Sequence, residues 1–339
     1  MASSAQEEAQ VAGQFAGVTI PIDTDDNDSA YAESTHESDT ESLASSILRY
    51  RWEHGRRYHA YKDGQYWGPN DEKQLDAEDF VHQMFLLVLD SKLFLAPLRE
   101  PKKVLDIGTG SGIWAIDFAD QFPSAEVIGV DLSPVQPSFV PPNCRFEVED
   151  ITQPWTYKVN SFDYVHLRMM TGSIPDWTEF HKEIYRHLKP GGWVEQLELS
   201  SKAQSEDGTV REGHPQAFTT WSKLFKELGD ISGRTFLICE EAKGHITAAG
   251  FTNVQETRIK IPIGPWSKDE KMKKWGLWNR VYLEDALEGF ALRGLTTALG
   301  WTYEETQVFF ADMRKCLRDP AIHSYVDMSV VIGQKPLES

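Results

Sequence analysis

The sequence predicts an α/β fold built on a doubly wound, mostly parallel seven-stranded sheet with a helical cap. From residue 102 onward, short apolar runs alternate with segments of helical periodicity. Such alternation is typical of a parallel sheet that is covered by helices on both faces. The connection between the last two apolar runs is roughly 60 residues long and rich in aromatic residues, which is too long for a turn and predicts an inserted cap.

Seven strands and six helices are expected along this part of the chain. The strands are predicted at 104–107, 126–130, 145–148, 164–167, 193–199, 254–261 and 325–332. The helices are predicted near 112–121, 177–188, 215–228, 238–249, 268–288 and 303–317. An earlier helix is expected after Asn70 or Asp71, because either residue is a suitable N-cap for the periodic apolar positions that follow.

This order of elements divides the chain into five regions. The predicted regions are a disordered tail (1–45), an N-terminal cap segment (46–100), a ligand-binding α/β core (101–265), an inserted helical cap (266–318) and a last strand with the C-terminus (319–339). Residues 46–100 interleave aromatic with basic side chains, which suits either a structural cap or a lid over a ligand.

Negative charge is concentrated at the N-terminus. The whole chain has a net charge of −18, and residues 1–48 contain ten Asp or Glu and no Lys or Arg. A segment this acidic and poor in apolar residues is expected to be a disordered, solubilising tail, and its many Ser and Thr leave a phosphorylatable docking tail as the alternative. The rest of the chain is also acidic, at −8, which argues against direct binding to nucleic acid.

Composition excludes several other classes of protein. No apolar run is long enough to span a bilayer, and the N-terminus does not resemble a secretory signal. The three cysteines, Cys144, Cys239 and Cys316, form neither a metal-ligand pattern nor a disulfide framework. We therefore expect a protein of the cytoplasm, the nucleus or both, with no metal.

A cluster of glycines marks the predicted ligand site. "VLDIGTGSG" places Gly108, Gly110 and Gly112 directly after a strand and at the start of a helix. Glycines allow a sharp turn and a close approach of the backbone to a ligand. Asp131 ends the second strand, where a carboxylate can accept hydrogen bonds from both hydroxyls of a ribose.

Other residues near the loop indicate which nucleotide-like ligand it holds. A dinucleotide fingerprint requires a glycine at position 113, which is Ile113, and Asp106 before the loop would repel a pyrophosphate. An acid at position 106 suits a ligand with a positive amino group and no phosphate, such as S-adenosylmethionine. At the end of "FEVED", Asp150 could accept a hydrogen bond from an adenine amino group, with Leu132 and Ile151 on the ring faces.

The same motifs resemble those of a known family. "VLDIGTGSG", "VIGVDLSP", "FEVEDIT", "FDYVHLR" and "LKPGGWVEQLE", in this order over residues 102–200, resemble the class I S-adenosylmethionine-dependent methyltransferases, whose fold is Rossmann-like. The acidic tail, "EHGRRYHAYKDGQYWGPNDEKQLD" and "IPIGPWSKDEKMKKWG" are similar to the fungal LaeA-like methyltransferases. That group includes regulators of secondary metabolism and development and the VipC-type methyltransferases.

The resemblance implies a role for each residue of the predicted site. The three loop glycines would line the methionine and ribose part of the cofactor, and Asp106 would lie near its amino group, directly or through water. Asp131 would bind the ribose hydroxyls, and Asp150 would bind the adenine amino group. Arg168, after the fourth strand, would contact the cofactor or the methyl acceptor.

The acceptor side is less well marked in the sequence. Arg168 and His214 are candidates for a chemical role, and Met169 and Trp266 are candidates for the wall of the acceptor pocket. After the fourth strand the chain reads "HLRMMTGSIPDW" and lacks an Asn-Pro-Pro-aromatic run. This absence argues against transfer to an amide or base nitrogen and leaves the acceptor open.

The sequence leaves three functions open and disfavours a fourth. The first is a methyltransferase that regulates fungal secondary metabolism or development, in complex with a velvet-type or zinc-finger protein as the resemblance implies. The second is a tailoring enzyme that methylates a natural product, and the third is a scaffold that binds the cofactor with little turnover. The fourth, a dinucleotide oxidoreductase, is disfavoured by Ile113 and Asp106.

Overall fold

The computed structural model describes residues 50–59, 61 and 66–337. The predicted disordered tail at 1–45 lies outside the described residues. The first described element is a short antiparallel hairpin of β1 (Arg51–Glu53) and β2 (Arg56–Tyr58). The sequence pattern did not predict this hairpin, because three-residue strands are too short to show an alternation.

The other strands and helices alternate along the chain. The strands are β3 (Lys103–Ile107), β4 (Glu126–Asp131), β5 (Cys144–Val148), β6 (Phe162–Arg168), β7 (Leu188–Leu199), β8 (Thr252–Pro262) and β9 (Tyr325–Gln334). The helices are α1 (Glu72–Val88), α2 (Ile113–Gln121), α3 (Trp177–His187), α4 (Gln216–Ser232), α5 (Ile238–Ala248), α6 (Glu270–Arg293) and α7 (Tyr303–Arg318). A π-helical turn at Gly294–Ala298 follows α6 directly.

Strands β3 to β9 form one seven-stranded sheet in the order β5-β4-β3-β6-β7-β9-β8. Only β9 runs antiparallel to its neighbours, β7 and β8. This arrangement confirms the predicted doubly wound, mostly parallel sheet. The strand order reverses at β3, which pairs with β4 on one side and β6 on the other. Ligand crevices of open α/β sheets lie at such switch points, beyond the carboxyl ends of the strands.

Helix α1 is fixed at its N-terminus by an ion pair with the hairpin. Asp71 is the N-cap and accepts from the backbone N–H of Gln74 at 3.0 Å. The same carboxylate accepts two hydrogen bonds from Arg56 of β2, at 2.6 Å from Nε and 2.9 Å from Nη2. One acid therefore caps the helix and joins it to the hairpin.

Helices α6 and α7 fill the long connection between β8 and β9, and α6 packs on α1. The rings of Phe80 and Trp278 stack with their centroids 4.8 Å apart at this contact. Met84 and Phe85 of α1 and Leu287 of α6 belong to one buried apolar cluster. Because α1 and α6 share a core, the N-terminal segment and the inserted helices cover the sheet together.

We predict that Asp71→Ala destabilises the protein by about 2–4 kcal/mol, since it removes a helix cap and leaves the buried Arg56 without its carboxylate. The free energy of unfolding from urea titration measures this loss. The matched control is Asp176→Ala at the exposed N-cap of α3, where the carboxylate accepts only from Glu179 N–H. That variant is expected to lose about 1 kcal/mol. Equal losses in the two variants would contradict a joint role for Asp71.

Candidate active site

A cavity lies at the carboxyl ends of β3, β4 and β6, under α1 and α6. The residues that line it come from the ends of these strands and the loops after them, from the loop after β5, from the chain before α1, from α1 and α6, and from the loop between α4 and α5. They are His59, Tyr61, Tyr66, Trp67, Gln74, Glu78, Val81, Gly108, Thr109, Gly110, Ser111, Val130, Asp131, Leu132, Glu149, Asp150, Ile151, Thr152, Arg168, Met169, Met170, Thr171, Ser173, Ile174, Arg234, Tyr282 and Phe290. The structure therefore brings most of the predicted site residues together.

The glycine loop between β3 and α2 is tied to the end of β4. Asp131 accepts from Gly110 N–H and from Ser133 N–H, each at 3.0 Å. Gly110 has a φ of +55° and lies so close to the Glu78 carboxylate that a Cβ on it would collide with that group. Only glycine meets both requirements at this position.

Asp106 does not line the cavity but is buried behind the loop, with 2% of its surface exposed. One of its oxygens accepts from the Thr109 hydroxyl at 2.5 Å, and the other lies 2.7 Å from His166 Nδ1. The imidazole of His166 stacks on Trp114 with ring centroids 3.7 Å apart. The predicted orientation of Asp106 into the crevice is thus replaced by an internal one, because both oxygens already have partners in the core.

Two acids on α1 reach the glycine loop, and the sequence analysis missed both. Glu78 Oε2 accepts from Ser111 N–H at 3.1 Å, and Asp79 Oδ1 accepts from the Ser111 hydroxyl at 2.6 Å. Burial raises the pKa of Glu78 to about 7, and repulsion from Asp131 adds to this effect. Burial also raises the pKa of Asp131. The cavity therefore holds two carboxylates that resist ionisation.

Arg168 brings positive charge to the same region. It is the last residue of β6 rather than the first residue after it, it lines the cavity, and its Nη1 lies 2.9 Å from His82 Nδ1. The other ring nitrogen of His82 lies 2.9 Å from Asp117 Oδ2. Since Nδ1 accepts from a guanidinium, Nε2 carries the proton and donates to Asp117. This chain of three side chains holds the guanidinium in place.

The far end of the cavity beyond β4 and β5 carries the predicted base-binding residues. Leu132, Asp150 and Ile151 all line this end. One oxygen of Asp150 accepts from the backbone N–H and the hydroxyl of Thr152, at 3.0 and 2.6 Å. These bonds fix the direction of the carboxylate at the edge of the cavity.

Four rings form an aromatic wall opposite the strand ends: Tyr66 and Trp67 before α1, and Tyr282 and Phe290 of α6. Their neighbouring centroids are 5.8–6.0 Å apart. Trp67 is anchored by a hydrogen bond of 2.9 Å from its indole N–H to the Thr171 carbonyl. The wall makes this side of the cavity apolar and covers it from solvent.

Besides Asp106, three other predicted residues lie outside the cavity. Trp266 donates from its indole to the Ser324 carbonyl at 2.8 Å, which holds the ring against His323, 5.3 Å away between centroids. His214 belongs to a separate surface groove that also includes Lys315. Gly112 is the N-cap of α2 and packs beside Phe146 rather than facing the cavity. Met169, by contrast, lines the cavity.

The described residues contain neither a metal-binding cluster nor a membrane-spanning helix. No group of three or more His, Cys, Asp or Glu in the described residues could hold a metal ion. No helix among residues 50–337, as far as they are described, is long and apolar enough to cross a membrane.

Comparison with known proteins identifies the family to which the chain belongs. Residues 80–256 match the family model described as a methyltransferase domain. The chain is 40% identical over 305 residues to "Methyltransferase pytC" of Aspergillus terreus, covering 88% of this chain and 92% of that protein. It is 36% identical over 294 residues to "Secondary metabolism regulator LAE1" of Cochliobolus heterostrophus, with 84% and 94% covered. It is 33% identical over 288 residues to "Secondary metabolism regulator laeA" of Aspergillus fumigatus, with 84% and 76% covered.

We predict that Asp106→Ala costs about 2–4 kcal/mol of stability, because it leaves the buried His166 and Thr109 without an acceptor. Asp131→Ala is the matched control, since its backbone donors face a cavity that water can enter, and it is expected to cost about 1 kcal/mol. Urea unfolding of the two variants measures the difference. A smaller loss for Asp106→Ala than for Asp131→Ala would contradict the internal role of Asp106.

Proposed function

Because the chain belongs to the methyltransferase family, in the fungal group of PytC and the LaeA-type regulators, we propose that it transfers methyl groups in the control of fungal secondary metabolism. It is a methyltransferase, and its cofactor is S-adenosylmethionine. The observation that carries the proposal is the single cavity that unites the glycine loop, Asp131 and Asp150 at the switch point of the sheet.

The residues of this cavity fit the parts of S-adenosylmethionine. Backbone groups of Gly108 and Gly110 can approach the ligand closely, since neither glycine has a side chain. Asp131 would accept from the ribose hydroxyls, and Asp150 from the adenine amino group. Leu132 would pack against the adenine ring. Acids at these positions suit a ligand that carries positive charge and no phosphate.

When bound, S-adenosylmethionine supplies a methyl group that its positive sulfur already activates. The protein's part is then to hold the acceptor in line with that methyl group and to exclude water. The aromatic wall excludes water on one side of the cavity, and Met169 and Met170 line the cavity beside the strand ends. Arg168, held by His82, is a cation that can orient an anionic group of the cofactor or acceptor, and Arg234 also lines the cavity.

A regulatory role draws on the LAE1 and laeA relatives, whose names describe regulators of secondary metabolism. It implies that the protein works in the nucleus or cytoplasm with a protein partner, of the velvet or zinc-finger type. The acidic body disfavours direct contact with DNA, so that a partner would provide any such contact.

A second candidate function is methylation of a natural product, and the aromatic wall favours it. Tyr66, Trp67, Tyr282 and Phe290 form a covered apolar surface, which suits a small, flat acceptor better than an extended peptide. The PytC relative is itself described as a methyltransferase.

Calorimetry tests cofactor binding directly. We predict roughly micromolar affinity for S-adenosylmethionine and none for NAD. Asp131→Ala should lower the affinity for S-adenosylmethionine and for 5′-methylthioadenosine by the same factor of about 10, because both ligands contain the ribose. Binding of NAD alone would overturn the assignment of the cofactor, and an unchanged affinity in Asp131→Ala would overturn the placement of the ribose.

Methyl-labelled cofactor distinguishes the two functions. The protein is incubated with labelled S-adenosylmethionine and fungal extract. The mixture is then divided into precipitated protein and an organic-soluble fraction. We predict label in protein for the regulatory role and label in an organic-soluble fraction for the tailoring role, with Asp131→Ala as the control for background. Label in neither fraction, together with a protein partner retained by Asp131→Ala, would favour a scaffold and contradict both.

A further inference from the structure

We propose that Glu78, and not Asp106, binds the ammonium group of the methionine part of S-adenosylmethionine. This inference rests on the proposed function, because it concerns the same cavity. It assigns a cofactor contact to helix α1, which lies before the glycine loop in sequence, and Glu78 itself lies outside the motifs quoted above.

Glu78 is the acid that faces the cavity beside the glycine loop. Its Oε2 accepts from Ser111 N–H at 3.1 Å, and its Oε1 lies 3.4 Å from Gln74 Nε2. A carboxylate can accept about four hydrogen bonds, so these two donors leave room for an ammonium group. The contact with Gly110 places the carboxylate where the methionine part is expected.

The charges around Glu78 favour a cationic ligand. Within the described residues, no Lys, Arg or His lies within 4.0 Å of its carboxylate. The groups that face it are Asp131 from β4, Arg168 from β6, and the phenols of Tyr66 and Tyr282, which burial keeps neutral. Arg168 is bonded to His82 and is shared electrostatically with other acids. A positive ligand would therefore relieve the repulsion between Glu78 and Asp131.

Asp106 is less accessible for this contact. It does not line the cavity and is 2% exposed behind the loop, where its oxygens bond to Thr109 and His166. An ammonium group in the cavity would meet Glu78 before Asp106, because only Glu78 of the two lines the cavity. Glu78 meets the same chemical requirement from the open side.

Glu78 could instead serve only to hold the loop, and Glu78→Gln separates the two roles. Glutamine keeps an oxygen for the Ser111 N–H but has no charge. The matched control is Asp79→Asn, because Asp79 is the adjacent residue, also bonds to Ser111, and does not line the cavity.

Calorimetry with three ligands tests the proposal. S-adenosylmethionine has an ammonium and a sulfonium, S-adenosylhomocysteine has only the ammonium, and 5′-methylthioadenosine has neither. Glu78→Gln should lower the affinities for S-adenosylmethionine and S-adenosylhomocysteine equally, by about 10- to 100-fold. It should leave the affinity for 5′-methylthioadenosine unchanged. Asp79→Asn keeps an oxygen for the Ser111 hydroxyl, so it should change the three affinities by the same factor and show no selectivity for the ammonium group.

Each other outcome has a defined meaning. A loss confined to S-adenosylmethionine would place Glu78 at the sulfonium and overturn the ammonium contact. An equal loss for all three ligands, or no loss, would reduce Glu78 to a structural residue and overturn the proposal. Unchanged 5′-methylthioadenosine binding also shows that Glu78→Gln is folded. A wild-type protein that binds none of the ligands would contradict the proposed function instead.

The pH dependence provides a second readout. Because burial raises the pKa of Glu78 to about 7, the side chain gains its charge as pH rises through 7. Affinity for S-adenosylhomocysteine should therefore increase as pH rises through 7, a range in which the ligand's own amino group keeps its proton. Binding near pH 6.5 should release protons, measured in buffers of different ionisation enthalpy. Glu78→Gln should abolish both effects, and their persistence would overturn the proposal.

Discussion

The glycine loop is held by carboxylates from two separate elements, and the cavity depends on that arrangement. Asp131 at the end of β4 accepts from Gly110 N–H, while Glu78 and Asp79 of α1 accept from the N–H and the hydroxyl of Ser111. Buried backbone donors need partners, so the loop and α1 fix each other's position. The N-terminal segment is for this reason part of the site.

Placing two carboxylates close together makes folding less favourable, and contacts elsewhere on α1 compensate for this cost. Glu78 and Asp131 lie half-buried near each other, and partial burial raises the pKa of both. Helix α1 nevertheless stays in place because Asp71 binds Arg56 at one end and Phe80 stacks on Trp278 of α6. Sites that bind charged ligands commonly carry such local cost within a stable framework.

The sequence predicted the sheet and the loop because their signals are local. Strands, glycines and Asp131 follow one another within single strand–helix–strand units, where spacing determines geometry. Glu78 escaped prediction because 33 residues separate it from Ser111, and its helix shows only an apolar pattern. The orientation of Asp106 was also unpredictable, since strand alternation gives its face but not its partners Thr109 and His166. The same limit applies to Trp266, whose partner Ser324 lies 58 positions away.

The boundaries of the family match indicate which segments of the chain would determine the choice of methyl acceptor. The matched residues, 80–256, include the glycine loop, Asp131 and Asp150, whereas all four residues of the aromatic wall lie outside them. On the proposed function, the matched part would therefore hold the methyl donor. The flanking segments contribute the wall that an acceptor would meet and, through α1, the Glu78 carboxylate. Since α1 and α6 pack on each other, a change in one segment repositions the other. If members of this group use different acceptors, the differences are thus expected to arise in these two segments together, while the donor site keeps its geometry.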